Sequence, residues 1–249
     1  MDRVREDNVK FKGIIFTAAA TALSLALAGS AAASPLGHTS KPAPQVTGVR
    51  LQSALLPASA FGGGFTVIDR INSGKKLRST RVFIKPSKLS CVNFETYVFV
   101  AGFGNTAGAA DEINNPNPAF ADYPSVVLGA DQAVLQFKTA SAATSFYNQA
   151  YTRYKQCSDF TESDPADNIQ LELTVQSLSK TKINKHQAFQ LIQYVDLSAL
   201  PALNFYQNTA VVLAGTNVYT IADVNGTNDP ISASLLARFV NRVQALYKH

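Results

Sequence analysis

Residues 129–157, GADQAVLQFKTASAATSFYNQAYTRYKQC, restrict the fold of this chain more than any other stretch. The opening run, 133–137, is rich in branched and aromatic side chains, the composition of a strand. Thr139 or Ser141 can then cap a helix by accepting from its first free N–H groups. Within that helix Ala143, Phe146, Ala150, Tyr154 and Cys157 recur at spacings of three and four, so they share one face. A strand that feeds such a helix lays its apolar stripe back on a sheet. The stretch ends in one of only two cysteines; the other is Cys91, in LSCVNF.

What those cysteines do depends on the compartment. MDRVREDNVKFKG sets four Arg/Lys against three acids, an apolar core spans 14–28, and Ala31, Ala32 and Ala33 precede Ser34. This reads as a secretory signal peptide over 1–33, cut between Ala33 and Ser34. Its core is shorter than the ~20 apolar residues of a membrane span. Ser30 stands where a lipoprotein signal would carry its acylated cysteine, so no lipid anchor is expected. The expected product is exported, to the cell wall or the medium, with no transmembrane segment in the mature chain. In that oxidising setting the two cysteines pair, and a Cys91–Cys157 bridge is the expectation.

After the signal, residues 34–46 contain Pro, Ser and Thr without hydrophobic period and read as a flexible tether. Residues 47–249 then suffice for one domain with a sizeable core. Loss of the signal lowers the net charge from +5 to +4, as Arg3, Arg5, Lys10 and Lys12 leave with Asp2, Glu6 and Asp7. Such a charge favours anionic surfaces without demanding them.

The chain then alternates between β-rich runs and helical ones. Residues 47–56 form a short amphipathic helix stopped by Pro57, and FGGGF turns into an edge strand. A phosphate-cradling loop would need the opposite order, strand before and helix after. From Arg70 to Lys88 the chain is basic and free of acids. Lys75, Lys76, Arg78, Arg81 and Lys85 are its candidate anionic-ligand patch. Phe83 is the only aromatic in this run, too little for the stacking used on single-stranded nucleic acid. Pro86 and Ser87 start a helix carrying Cys91, and FETYVFVAG after it is strand-like. Residues 106–123 hold Gly, Asn and Pro without a period and read as a long loop. Asp111, Glu112 and Asp122 lie in it, but without the spacing of a calcium loop.

Residues 169–175 alternate strictly. Ile169, Leu171, Leu173 and Val175 face one way and Gln170, Glu172 and Thr174 the other, as in an antiparallel sheet with one wet or cavity-facing side. Further β-rich runs cover 188–195, 209–214 and 218–224, the last two joined by Gly215, Thr216 and Asn217. Asp229 and Pro230 supply a cap and first-turn proline for a final helix. Leu235, Phe239, Val243 and Leu246 form its stripe, widened by Leu236 and Val240. The fold class is α+β.

Signs of catalysis are missing. No G-x-S-x-G motif occurs, and the histidines are His38 in the tether, His186 in TKINKHQ and His249 at the terminus. His186 is the one candidate base, in what reads as an exposed turn. Glu162, Asp164 and Asp167 are read as solvated loop acids. No catalytic, cofactor-binding or metal residue is assigned, and no cofactor is expected.

Four stretches carry a family resemblance: LQSALLPASAFGGGF, PSKLSC, AVLQFKTASAATSFYNQAYTRYKQC and NTAVVLAGTNVYTIADVNGTNDPISASLLARFVNRV. In order and spacing they resemble the PknH-like extracellular sensor domains of mycobacteria and their relatives, over most of 47–246. The chain departs from that pattern at Tyr154, where relatives usually carry Trp, and it lacks cysteines for a second disulfide. The kinase signatures are absent as well. The resemblance implies an antiparallel β-sheet flanked by amphipathic helices, with a cleft proposed to bind an extracellular ligand. The expected role is a free-standing, exported, non-catalytic sensor-like domain for a small molecule, lipid or glycan of the envelope. The alternative is a secreted surface module that contacts a protein partner; a hydrolase and a nucleic-acid binder are both disfavoured.

Overall fold

A computed structural model describes residues 44–73, 104–115, 129–164, 169–197 and 204–248. The signal peptide with its cleavage site at Ala33 and Ser34, the patch from Lys75 to Lys85, Cys91, Asp122 and Asp167 lie outside them. Within the described residues the architecture is one eight-stranded antiparallel sheet between two helical layers.

The strands are β1 (Thr66–Ser73), β2 (Asn105–Asn114), β3 (Gly129–Phe137), β4 (Asp159–Asp164), β5 (Ile169–Ile183), β6 (His186–Leu197), β7 (Phe205–Ala214) and β8 (Asn217–Asn225). Their spatial order is β1-β2-β3-β8-β7-β6-β5-β4. Two meanders are thus joined at β3 and β8, and the helix α2 (Ala140–Gln156) carries the chain from the middle of the sheet to its far edge. Tight turns fix the second meander. Asn184 and Lys185 take φ of 47° and 70° between β5 and β6, and Gly215 takes φ of 63° between β7 and β8. These are the left-handed conformations that two-residue hairpin turns require.

Both faces of the central strands are apolar. Leu135, Phe137, Phe189, Leu191, Val211 and Val218 point to α2, which buries Ala143, Phe146, Tyr147, Ala150 and Tyr154 on them. That is the face expected for this helix, and Thr139 caps it by accepting from the Ala142 N–H at 3.1 Å. Phe189 lies at the centre, with the rings of Tyr147, Tyr151 and Tyr154 at 5.3, 5.5 and 5.9 Å. On the opposite face Val134, Ala210, Val212, Tyr219 and Ile221 meet α1 (Gly48–Ala54) and α3 (Ala233–Ala245). The wet face expected from 169–175 is therefore confined to the outer part of β5, where Glu172, Gln176 and Ser179 are exposed.

Two buried glutamines of β3 fasten α1 to the sheet. Gln136 accepts from the Val46 N–H at 2.9 Å and donates to the Val46 carbonyl at 3.0 Å. Gln132 does the same at Leu56, at 2.9 and 2.7 Å. Each side-chain amide thus replaces a strand partner for the backbone on either side of the helix. Val46, read from sequence as the tether's last residue, is consequently 7% exposed and held in the core.

Three segments differ from their sequence reading. Residues 105–114 form β2 where a loop was expected; their small side chains fit beneath α1, and Ala107, Ala109 and Ile113 are buried. Residues 159–164, with Glu162 and Asp164, form the edge strand β4 instead of a loop. Finally, α3 begins at Ala233 with Ser232 as its cap, four residues beyond Asp229. Ile231, 3% exposed, explains the delay, since the chain stays extended until that side chain reaches the core.

Candidate functional site

Beneath α2 the sheet is apolar, but the same face becomes polar towards the other end of the central strands. Glu112 of β2 stands opposite Asp131 of β3, and Asp131 opposite Ala222 of β8. Thr209 of β7 adjoins Ala222, and Gln207 of β7 pairs with Gln193 of β6. Strand alternation places all of these on the α2 face, since Leu135 and Val211, on the same strands, lie under that helix. With Thr220 they make a contiguous polar floor across five strands.

This floor is closed to bulk solvent. Thr209 and Gln193 are 1% exposed, Thr220 2%, and Gln207 and Glu112 5%. Yet Gln207 Oε1 and Thr209 Oγ have no hydrogen-bond partner among the described residues. A buried polar atom left without a partner costs roughly 1–3 kcal/mol. The sequence offered no sign of this, because residues 209–214 read only as a β-rich run and nothing in that run tells which of its side chains are buried.

A second polar cluster lies on the opposite face, beside the start of α3. Asp223 Oδ1 accepts from Asn208 Nδ2 at 3.1 Å and from Asn225 Nδ2 at 2.9 Å. Asn225 Oδ1 in turn accepts from the Thr227 N–H at 2.8 Å. Burial pushes the Asp223 carboxyl up to about 7; the Asn208 bond opposes this and Asp229 adds to it. On β2, Asp111 is 3% exposed, accepts from Gln52 of α1, and pairs with Arg70 Nε at 3.1 Å. Burial raises its carboxyl above the usual range, with Arg70 and Gln52 holding it back.

The residues singled out from sequence are scattered. Asp111 and Glu112 are adjacent on a strand and so face opposite sides of the sheet, which prevents them from sharing one ion. His186 opens β6, half-buried, beside the exposed turn of Asn184 and Lys185. No group of three metal-capable side chains occurs among the described residues. Cys157, 2% exposed, ends α2 and carries no free thiol. Of the basic run, Arg70 is the member within the described residues, and it is paired.

No family profile matches the chain, and no curated protein does. Among solved structures it is similar to the extracellular domain of PknH from Mycobacterium tuberculosis, at 19% identity and a TM-score of 0.60. The match covers 84% of this chain and 100% of that one. A putative uncharacterized protein of Mycobacterium smegmatis (Rv0999 ortholog) also matches, at 10% identity and a TM-score of 0.39, over 78% of this chain and 95% of that one. The PknH comparison establishes the fold: this chain shares the fold of that extracellular domain.

Proposed function

We propose that the chain is an exported, non-catalytic sensor-like domain whose polar sheet floor receives a ligand of the cell envelope. The observation that carries this is the pair of orphaned, buried atoms, Gln207 Oε1 and Thr209 Oγ, side by side on one strand face. A ligand carrying hydroxyl or amide groups would satisfy both and recover the cost of leaving them bare. Such groups belong to glycans, muropeptides and lipid headgroups alike. A fold shared with an extracellular domain agrees with export through the signal at 1–33.

A bridge between Cys91 and Cys157 belongs to this proposal. Its support is that Cys157 has no free thiol and that the chain has only one other cysteine. The basic residues Lys75, Lys76, Arg78, Arg81 and Lys85 would add attraction for anionic envelope material. Reversal of charge at Lys75, Lys76 and Arg78 is expected to weaken retention on such material; unchanged retention would reduce the run to a solvated face.

The floor itself is tested by incubating the oxidised domain with envelope extract and identifying what it retains. Retention of a small molecule, lost on combining Gln207→Leu with Thr209→Val, is the expected result. Recovery of a protein instead, unaffected by those substitutions, would favour the partner-contacting alternative.

A further inference from the structure

We infer that the hollow between α3 and the segment joining α1 to β1, on the face of the sheet away from the polar floor, binds a phosphate group. The hollow encloses about 470 Å³ and is lined by Pro57, Ser59, Ala60, Arg238, Asn241 and Arg242. Arg238, Asn241 and Arg242 fall within one turn on the side of α3 opposite its buried stripe of Leu236, Phe239, Val240 and Val243.

The two guanidinium groups differ in how they are held. Arg242 donates from Nε to the Ala54 carbonyl at 3.1 Å and from Nη2 to the Ser53 carbonyl at 3.4 Å. These bonds satisfy the open end of α1 and leave most of the guanidinium fork available. Arg238, a turn earlier, is exposed and has neither hydrogen bond nor ion pair among the described residues. Nor is there a carboxylate nearby in the chain to neutralise it, since residues 44–65 and 231–248 contain no Asp or Glu.

An acid-free wall with one preorganised and one unpaired arginine suits a tetrahedral anion with several acceptor oxygens. Ser59 and Asn241 add a hydroxyl and an amide donor from opposite walls. Pro57 and Ala60 supply apolar surface beside the charges, and the volume leaves room for the carbon skeleton of a phosphate ester. Both a free phosphate ester and a phospholipid headgroup present this chemistry.

Titration of the mature domain with glycerol 3-phosphate and with phosphatidylglycerol vesicles, followed by NMR shifts at α3 and by vesicle sedimentation, tests the site. Arg238→Gln is the variant of choice, because Arg238 supports no other contact and the fold should be unaffected. Binding of at least one probe, weakened about tenfold by the substitution with Tm unchanged, is expected. The vesicles alone responding would identify a lipid headgroup; the soluble ester responding would identify a diffusible phosphate ester. Failure of both to bind the wild-type domain, or equal binding by Arg238→Gln, would overturn the inference.

Discussion

Asp223 links the interior of the sheet to solution pH. Its carboxyl titrates at about 7 in the folded domain because burial disfavours the charged form, against 3.8 for an ordinary aspartate. A carboxyl raised in this way contributes stability that is complete below about pH 4 and is lost as pH rises through about 7. The domain should therefore melt several degrees lower at pH 8 than at pH 5. Asp223→Asn keeps an acceptor for Asn208 and Asn225 but cannot ionise, so its melting temperature should be nearly flat over that interval. A pH slope identical to that of the wild type would contradict this assignment. Gln136 is the other decisive single residue. Besides the two Val46 bonds it accepts from the Tyr247 hydroxyl at 2.7 Å, so Gln136→Leu leaves buried backbone groups bare. Urea denaturation should show a loss of about 2 kcal/mol or more.

Elements with a strong hydrophobic period were legible in the sequence, and those built from small or polar residues were not. The stripe from Ala143 to Cys157 identified α2 and its buried face because Phe146, Ala150 and Tyr154 recur every four residues, and the structure adds Tyr147 to it. In β2, by contrast, Ala, Gly, Asp and Asn carry weak strand preference, and the strand exists because its neighbours β1 and β3 pair with it on both sides. The same holds for β4, DFTESD, an edge strand held by β5. The polar floor was invisible for a related reason, since alternation shows which residues share a face but not how far a helix covers it. Phe189, ringed by three tyrosines of α2, is the keystone of that covered part. Phe189→Ala should cost about 3–5 kcal/mol and lower the denaturation midpoint accordingly. A loss below about 1 kcal/mol would mean that α2 packs less tightly on β6 than its aromatic contacts indicate.

At the scale of the molecule, the crossover of α2 from β3 to β4 makes the two meanders one sheet, and the proposed Cys91–Cys157 bridge would fasten the end of that crossover to the stretch of chain between β1 and β2. Closing a loop of this length contributes roughly 4 kcal/mol on the chain-entropy account. Cys91→Ser should accordingly leave a folded domain with a markedly lower melting temperature, and an unchanged value would remove the bridge from the account. The central claim, however, is that the buried polar end of the α2 face receives a ligand. Native mass spectrometry of the oxidised domain, incubated with envelope extract, addresses it directly. The wild type should carry a small-molecule adduct that is absent from the Gln207→Leu, Thr209→Val double variant, both masses two daltons below the reduced chain. A bare wild-type mass, or the same adduct on both proteins, would contradict a ligand on this floor.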